Sequence, residues 1–279
     1  MIAAPFTVAS QLTPHGEDTF IGSVPPGWSV VMGTHGGLVA ALMTRAAGLT
    51  MGPDRPVKSI TVHFARPVKP GPVKIEATRE RDGSRLSSIS LRMTQAGETV
   101  ALALSAGGPS RESMTFVDLP IPKVPSPEEI TQLEYLQGVM PEFMAHADFR
   151  PAFGNSPGSG SPAGDATVGG WMRALEGAAL DAPACAFLAD AWWPAVFAVS
   201  GGLVGAPTID LTVHFRGDLT NATPDAWVLG RFRSHLVQDG HFEEDGVLWA
   251  EDGSVLAHSR QLALVLPLPD RGMRPPEAS

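Results

Sequence analysis

The sequence predicts an α+β protein in which one fold is written twice, each copy an antiparallel sheet wrapped around one long helix. Three observations predict it. The residues Thr61-Val62-His63-Phe64 recur as Thr212-Val213-His214-Phe215, 151 positions later. Each copy follows an apolar, helix-compatible stretch and precedes strand-like runs that close on a Gly-containing turn and an alternating strand, 95–98 then 99–105 and 251–254 then 255–266. Strand patterns follow one another with no helical pattern between them, which fits antiparallel sheets and not βαβ units. A repeat of this kind decides the architecture. A duplicated fold commonly puts its site at the seam between the copies, with one copy keeping the chemistry.

The first half begins near Phe6. Residues 36–49 are small and aliphatic nearly all round, with Arg45 the one charge, so they form a buried helix. Pro53 and Pro56 end it. Ile60, Val62 and Phe64 alternate with Thr61 and His63, and Val73, Ile75 and Ala77 with Lys74, Glu76 and Thr78. Ile89, Leu91 and Met93 alternate with Ser90 and Arg92, and Val100, Leu102 and Leu104 complete the set. Period-two alternation gives a sheet with one wet and one buried face. Residues 120–127 carry four prolines and read as a linker. Residues 154–164, rich in Gly, Ser and Pro, read as a mobile loop. The second half resumes with a strand over 167–175. Its helix runs from Pro183 to about Trp193, limited by Pro194. Strands follow at 208–216, 226–236, 242–250 and 255–266. In the first of these, Ile209, Leu211, Val213 and Phe215 form the apolar face, while Thr208, Asp210, Thr212 and His214 point the other way. The division is an N-terminal unit over 1–119, a linker over 120–140 and a C-terminal unit over 141–279.

Composition narrows the function. The 279 residues are 43% hydrophobic, enough for real cores, and carry a net charge of −9. That charge disfavours nucleic acid and anionic membrane surfaces as partners. Cys185 is the single cysteine, so no intrachain disulfide forms and a reducing compartment is expected. Residues 1–13 lack Lys and Arg and so lack a signal peptide's basic start. The most apolar stretch, 184–200, is broken by Asp190 and Pro194 and is too short for a membrane span. A soluble, cytoplasmic protein is expected, with no membrane insertion. Oligomeric state is left open, a homo-oligomer included.

Gly154-Asn155-Ser156-Pro157-Gly158 fits the G-x-S-x-G pattern but not its chemistry. The residue after the serine must give its backbone N–H to an oxyanion, and Pro157 has none. Cys185 has no cationic neighbour in sequence to support a thiolate and reads as structural. His63 and His214 have no further ligands at workable spacing, so no metal is expected. His35-Gly36-Gly37 opens the first helix. Paired glycines there let a ligand approach free N–H groups, or they permit close packing of a buried helix. Asp190 lies in an apolar run, 187–193. A carboxylate there must be paired, reach solvent or do work, or else lie on the helix's exposed edge. Thr208 and Gln261 are individually ordinary polar positions.

The ordered set Thr34 to Leu42, Ser59 to Pro67, Arg79 to Gly83, Leu188-Ala189-Asp190, Thr208-Ile209-Asp210 and Asp252-Gly253 through Gln261 resembles the double-hotdog acyl-CoA thioesterases of the thioesterase II type. It covers most of the chain except about 120–164. The resemblance implies two hotdogs whose antiparallel sheets join, with a thioester site between the halves. It implies a catalytic trio of Asp190, Thr208 and Gln261. It also implies a backbone N–H from Gly36 and Gly37 for the thioester carbonyl; His35 and Leu38 beside them are expected substrate contacts, and Trp192 and Trp193 either line the acyl groove or belong to the core. Two departures stand out. Leu38 occupies a position often Gln in thioesterase II, and the Asp-to-Thr interval is short.

The expected reaction is acyl-CoA hydrolysis without metal or cofactor, CoA being part of the substrate. Asp190 would be general base on a water held by Thr208 and Gln261. Two rivals remain. A hotdog enoyl-CoA hydratase would use Asp190 with His214, leaving Thr208 and Gln261 unexplained. An inactive acyl-CoA-binding module would be favoured by an exposed Asp190.

Overall fold

The computed structural model describes residues 5–155, 164–175, 177–200, 205–219 and 223–266. A short helix, α1 (Phe6–Ala9), leads into β1 (Leu12–Pro14), β2 (Thr19–Val24) and a small ribbon of β3 (Ser29–Val30) with β4 (Gly33–Thr34). Helix α2 (Gly36–Met51) follows. Then come β5 (Val57–Phe64), β6 (Gly71–Asp82), β7 (Ser87–Gln95) and β8 (Glu98–Gly107). The second half contains β9 (Ala147–Phe153), β10 (Thr167–Ala174), α3 (Ala182–Leu188), β11 (Thr208–Phe215), β12 (Val228–Arg233), β13 (Val237–Gln238), β14 (His241–Ala250) and β15 (Val255–Leu264).

Where two joined sheets were expected, the two halves share, among the described residues, one continuous antiparallel sheet of 13 strands. Its order is β1-β2-β6-β7-β8-β5-β11-β15-β14-β12-β10-β9, with β13 paired to β14. The order reads the same from either end if β5 is matched to β11, β8 to β15, β7 to β14, β6 to β12, β2 to β10 and β1 to β9. The repeat strands β5 and β11 pair with each other at the centre. Thr61 lies opposite Thr212, and their hydroxyls are 2.9 Å apart. His63 faces Asp210 while Ser59 faces His214. Those two pairs exchange under the 151-residue offset, so a pseudo-two-fold axis passes through Thr61 and Thr212.

Helix α2 is buried as its composition demands. Leu38, Ala40, Ala41, Leu42, Met43, Ala46 and Ala47 have no exposed surface. It closes at Gly52, whose φ of 90° suits glycine and whose N–H reaches the Gly48 carbonyl. Arg45, the helix's one charge, reaches Ser10 and Asp181 at its edge. Asp181 also caps α3 by accepting from the Ala184 N–H at 2.8 Å.

The second helix is shorter than expected. It ends at Leu188, well before Trp193, so among the described residues only α2 is a long helix. An α-helix through this region would seat the Asp190 carbonyl on the N–H of residue 194, and Pro194 has none. The chain instead tightens through i→i+3 bonds from Asp190 to Phe187 and from Ala191 to Leu188. A 3-10 turn over Ala195–Ala198 follows.

The proline-rich segment lies against the outer face of the second half. Leu119, Ile121, Val124 and Ile130 pack on a cluster of Trp171, Trp227, Leu229 and Trp249. The indoles of Trp249 and Trp171 donate to the carbonyls of Leu119 and Pro125. No helix among the described residues is long and apolar enough to cross a membrane.

Candidate active site

The early end of α3 makes the site. Asp190 sits in the turn after the helix, not within it. Its side chain is 10% exposed, so the carboxyl is nearly enclosed yet within reach of water. Burial pushes its pKa up to about 7, the nearby Glu244 charge adds to the rise, and a hydrogen bond from the Gly37 N–H opposes it.

The carbonyl that Pro194 leaves without a helical partner is taken by His35. Its Nε2 lies 2.8 Å from the Asp190 oxygen. A carbonyl only accepts, so Nε2 carries the hydrogen and Nδ1 is the bare nitrogen. The ring stacks on Phe143, centroids 3.8 Å apart, and meets Phe187 edge-on. Burial in this apolar sandwich lowers the imidazole to about 4. His35 is therefore neutral near pH 7, and its 3.5 Å approach to the Asp190 carboxylate is not an ion pair.

The two glycines serve close packing, and one of them admits the carboxylate. A Cβ on Gly36 would lie 2.8 Å from an Asp190 carboxylate oxygen. A Cβ on Gly37 would lie 2.6 Å from the Phe187 carbonyl oxygen, at the contact between α2 and α3. Asp190 thus rests on the N-terminus of α2, where free N–H groups and the helix dipole favour negative charge. Of the pair expected to meet the thioester carbonyl, Gly37 turns its N–H to Asp190.

Thr208 and Gln261 meet directly. The Thr208 hydroxyl donates to Gln261 Oε1 at 2.8 Å. Simple alternation put Thr208 on the outer face with Asp210 and Thr212, and the structure corrects this. The register of β11 on β15 shifts between Thr208 and Asp210, pairing Thr208 with the inward Ala263. That bulge gives the strand one extra residue, which turns Thr208 inward. Gln261 is 7% exposed and lies opposite the core residue Leu211.

Glu244 completes the row. It pairs in register with Gln261 on β14 and is 4% exposed. Its Oε1 accepts from Gln261 Nε2 at 2.8 Å, and its Oε2 from the Ala195 N–H at 2.5 Å. Burial raises it to about 7 against those two hydrogen bonds. Sequence reading passed over Glu244. The signal was an acid at an inward position of an alternating strand, among Phe242, Gly246 and Leu248. Phe143 was also missed, because its segment carries no periodic pattern.

The other expected residues lie as follows. Leu38 is fully buried in the core. Trp192 packs on Phe149 and Trp193. The indole nitrogens of both tryptophans are buried without a partner among the described residues. His214 stands exposed on the face of β11 opposite Leu211 and Val213, so the Asp190–His214 pair needed by the hydratase alternative does not assemble. Cys185 is buried, which pushes its thiol up and leaves it inert. Ser156, Pro157 and Gly158 of the G-x-S-x-G match, and most of the loop expected over 154–164, lie outside the described residues.

Comparison with known proteins bears on the chemistry. Residues 24–106 match the profile of the acyl-CoA thioesterase N-terminal domain, and residues 121–265 that of the acyl-CoA thioesterase C-terminal domain. A solved hot dog fold protein of unknown function from Alicyclobacillus acidocaldarius is 30% identical. The match covers 93% of this chain and 97% of that one, with a TM-score of 0.83. The acyl-CoA thioesterase II TesB2 from Mycobacterium marinum shares the fold at 19% identity, covering 93% and 97% of the two chains, with a TM-score of 0.74. An uncharacterized protein of Mycobacterium tuberculosis is 27% identical over 296 residues, 93% of this chain and 98% of its own length. With both halves matched in order, the chain belongs to the double-hotdog acyl-CoA thioesterase family.

Proposed function

We propose that this protein hydrolyses acyl-CoA thioesters by general-base activation of water, with Asp190 as the base. The observation that carries the reading is the Asp190 carboxyl itself. It is nearly enclosed, raised to about 7 and seated at the N-terminus of α2. A base with a pKa near the working pH is the efficient choice.

Asp190 takes one proton from a water whose other hydrogen is held by the Thr208–Gln261 pair. The water oxygen bonds to the thioester carbon, and the carbonyl electrons move to oxygen. Backbone N–H at the start of α2 receives that oxyanion, with Gly36 the member of the glycine pair left for it. Collapse breaks the C–S bond, and the departing CoA thiolate takes up a proton. The products are a carboxylic acid and CoA. The acyl chain lies between the halves, with Trp192 and Trp193 beside the base. No metal or cofactor enters the scheme.

The test is a thiol-release assay over saturated acyl-CoAs of rising length. Turnover with at least one chain length is expected. Tight acyl-CoA binding without turnover at any length would leave a binding module in place of an enzyme.

A further inference from the structure

The hydrolytic scheme does not use Glu244, although a carboxylate so enclosed is costly to keep. Its contacts explain its presence. An ionised carboxylate can only accept hydrogen bonds. Both Glu244 oxygens do so, one from the Ala195 N–H and the other from Gln261 Nε2. With the amide nitrogen committed to Glu244, the Gln261 oxygen must face Thr208. Facing an acceptor, the Thr208 hydroxyl must donate to it, as it does at 2.8 Å. The hydroxyl's hydrogen is then spent, and only its lone pairs remain for a bound water.

We infer that Glu244 is a positioning residue. It fixes the amide orientation of Gln261 and thereby makes Thr208 an acceptor for the hydrolytic water. The water must then give one hydrogen to Thr208 and the other to Asp190, which aims an oxygen lone pair away from both. This rests on the reading of Asp190 as base and Thr208 with Gln261 as water holders. The Glu244 charge also acts on Asp190, so a second readout is available. Among the described residues, the titratable groups beside the base are Glu244 and His35 on α2, which stays neutral through the working range; Asp245, next to Glu244 on β14, acts on Glu244 and pairs with Arg260 on the other face of the strand.

The test is Glu244→Gln. The introduced amide must keep its oxygen toward the Ala195 N–H, so its nitrogen meets the Gln261 nitrogen and forces that amide to turn over. Thr208 would then donate to the water instead of accepting. Turnover should fall about 10- to 100-fold through misplacement of the water, with KM for acyl-CoA nearly unchanged. The acid limb of the kcat/KM profile should move to lower pH, because a like charge near Asp190 has gone; a purely structural role would not move it. Glu244→Asp keeps the charge but withdraws the carboxylate, so turnover should fall while the limb stays. A folded Glu244→Gln enzyme with parental turnover and an unmoved limb overturns the inference. If that variant fails to fold, parental turnover in Glu244→Asp overturns it. Asp190→Asn, run in parallel, separates the two failures. If it is slow while both Glu244 variants are parental, the positioning role alone is wrong. If it is also parental, the base assignment has failed and this inference falls with it.

Discussion

The imidazole of His35 donates to the backbone carbonyl of Asp190 across 155 residues of sequence, at 2.8 Å. The bond joins the start of the first half's helix to the turn that ends the second half's helix. It exists because Pro194 cannot serve that carbonyl. The proline shortens α3, frees the acceptor and places Asp190 in a turn beside α2. One residue's missing N–H thus leads to the placement of the carboxyl read as the base.

His35→Leu should test this link. The substitution keeps much of the apolar stacking on Phe143 but leaves a buried carbonyl unpaired, at a cost of about 1–3 kcal/mol. Turnover should fall more than acyl-CoA affinity, because the turn that carries Asp190 loses its tether. Denaturant titration beside steady-state kinetics checks both. A variant as stable and as active as the parent would mean that the turn holds itself.

Asp190→Asn keeps the shape of the side chain and removes the base. Hydrolysis should fall by roughly 10²–10⁴-fold, with acyl-CoA binding little changed. Thr208→Val and Gln261→Ala should each cost less, since each only helps to hold the water. A thermal melt of each variant must show that it is folded, because altering a buried polar residue can simply unfold a protein. Parental turnover in a folded, acyl-CoA-binding Asp190→Asn enzyme would remove Asp190 from the mechanism.

Much of this architecture was legible because it follows local rules. The alternation in 57–64 and 208–215 and the all-round apolar character of 36–49 reflect burial, which composition records directly. The repeated residues displayed the duplication, although the pairing of Thr61 with Thr212 across the two repeat strands was not read from it. What was not legible depends on backbone bonds between distant segments. The bulge that turns Thr208 inward has no marker in Thr208-Ile209-Asp210; it arises from the register against β15. The end of α3 at Leu188 was foreshadowed by Pro194, but the effect of a missing N–H reaches four residues back, further than the expected stop at Trp193. Glu244 was visible as an acid on an inward position, yet its partner Gln261 is set by strand pairing. Strands β1, β2 and β9 were not individually read. β1 is too short to show a period, and Pro151 interrupts the pattern of β9.

Two glycines of α2 should respond oppositely to alanine. At Gly37 a Cβ would lie 2.6 Å from the Phe187 carbonyl oxygen, which is backbone and cannot swing aside. Gly37→Ala must push α3 from α2, and should be strongly destabilising and inactivating. At Gly48 the nearest atom to a Cβ is a Val57 methyl at an ordinary 3.8 Å. Gly48→Ala should therefore stabilise by about 0.4–1 kcal/mol, since alanine has less backbone freedom to lose in a helix. Paired melts check the contrast, and equal effects at the two sites would contradict the packing of α2 on α3.

The buried carboxyls should also write themselves into the pH dependence of stability. Asp190 and Glu244 are each raised to about 7, against an ordinary carboxyl near 4 in the unfolded chain. Between those values the folded state binds more protons than the unfolded one, so each carboxyl makes stability fall as pH rises through that window. His35, lowered to about 4 from 6.5, works in the opposite sense over most of the same window, because there the unfolded imidazole holds the extra proton. Near pH 7 the histidine contribution has levelled off while the carboxyls still titrate. Asp190→Asn removes one ionisation. Its melting temperature should therefore gain on the parent's steadily from pH 4.5 to pH 7.5. Parallel melting curves with a constant offset across that range would mean that Asp190 titrates alike in the folded and unfolded chains, and would withdraw the raised pKa on which its role as a base near neutral pH depends.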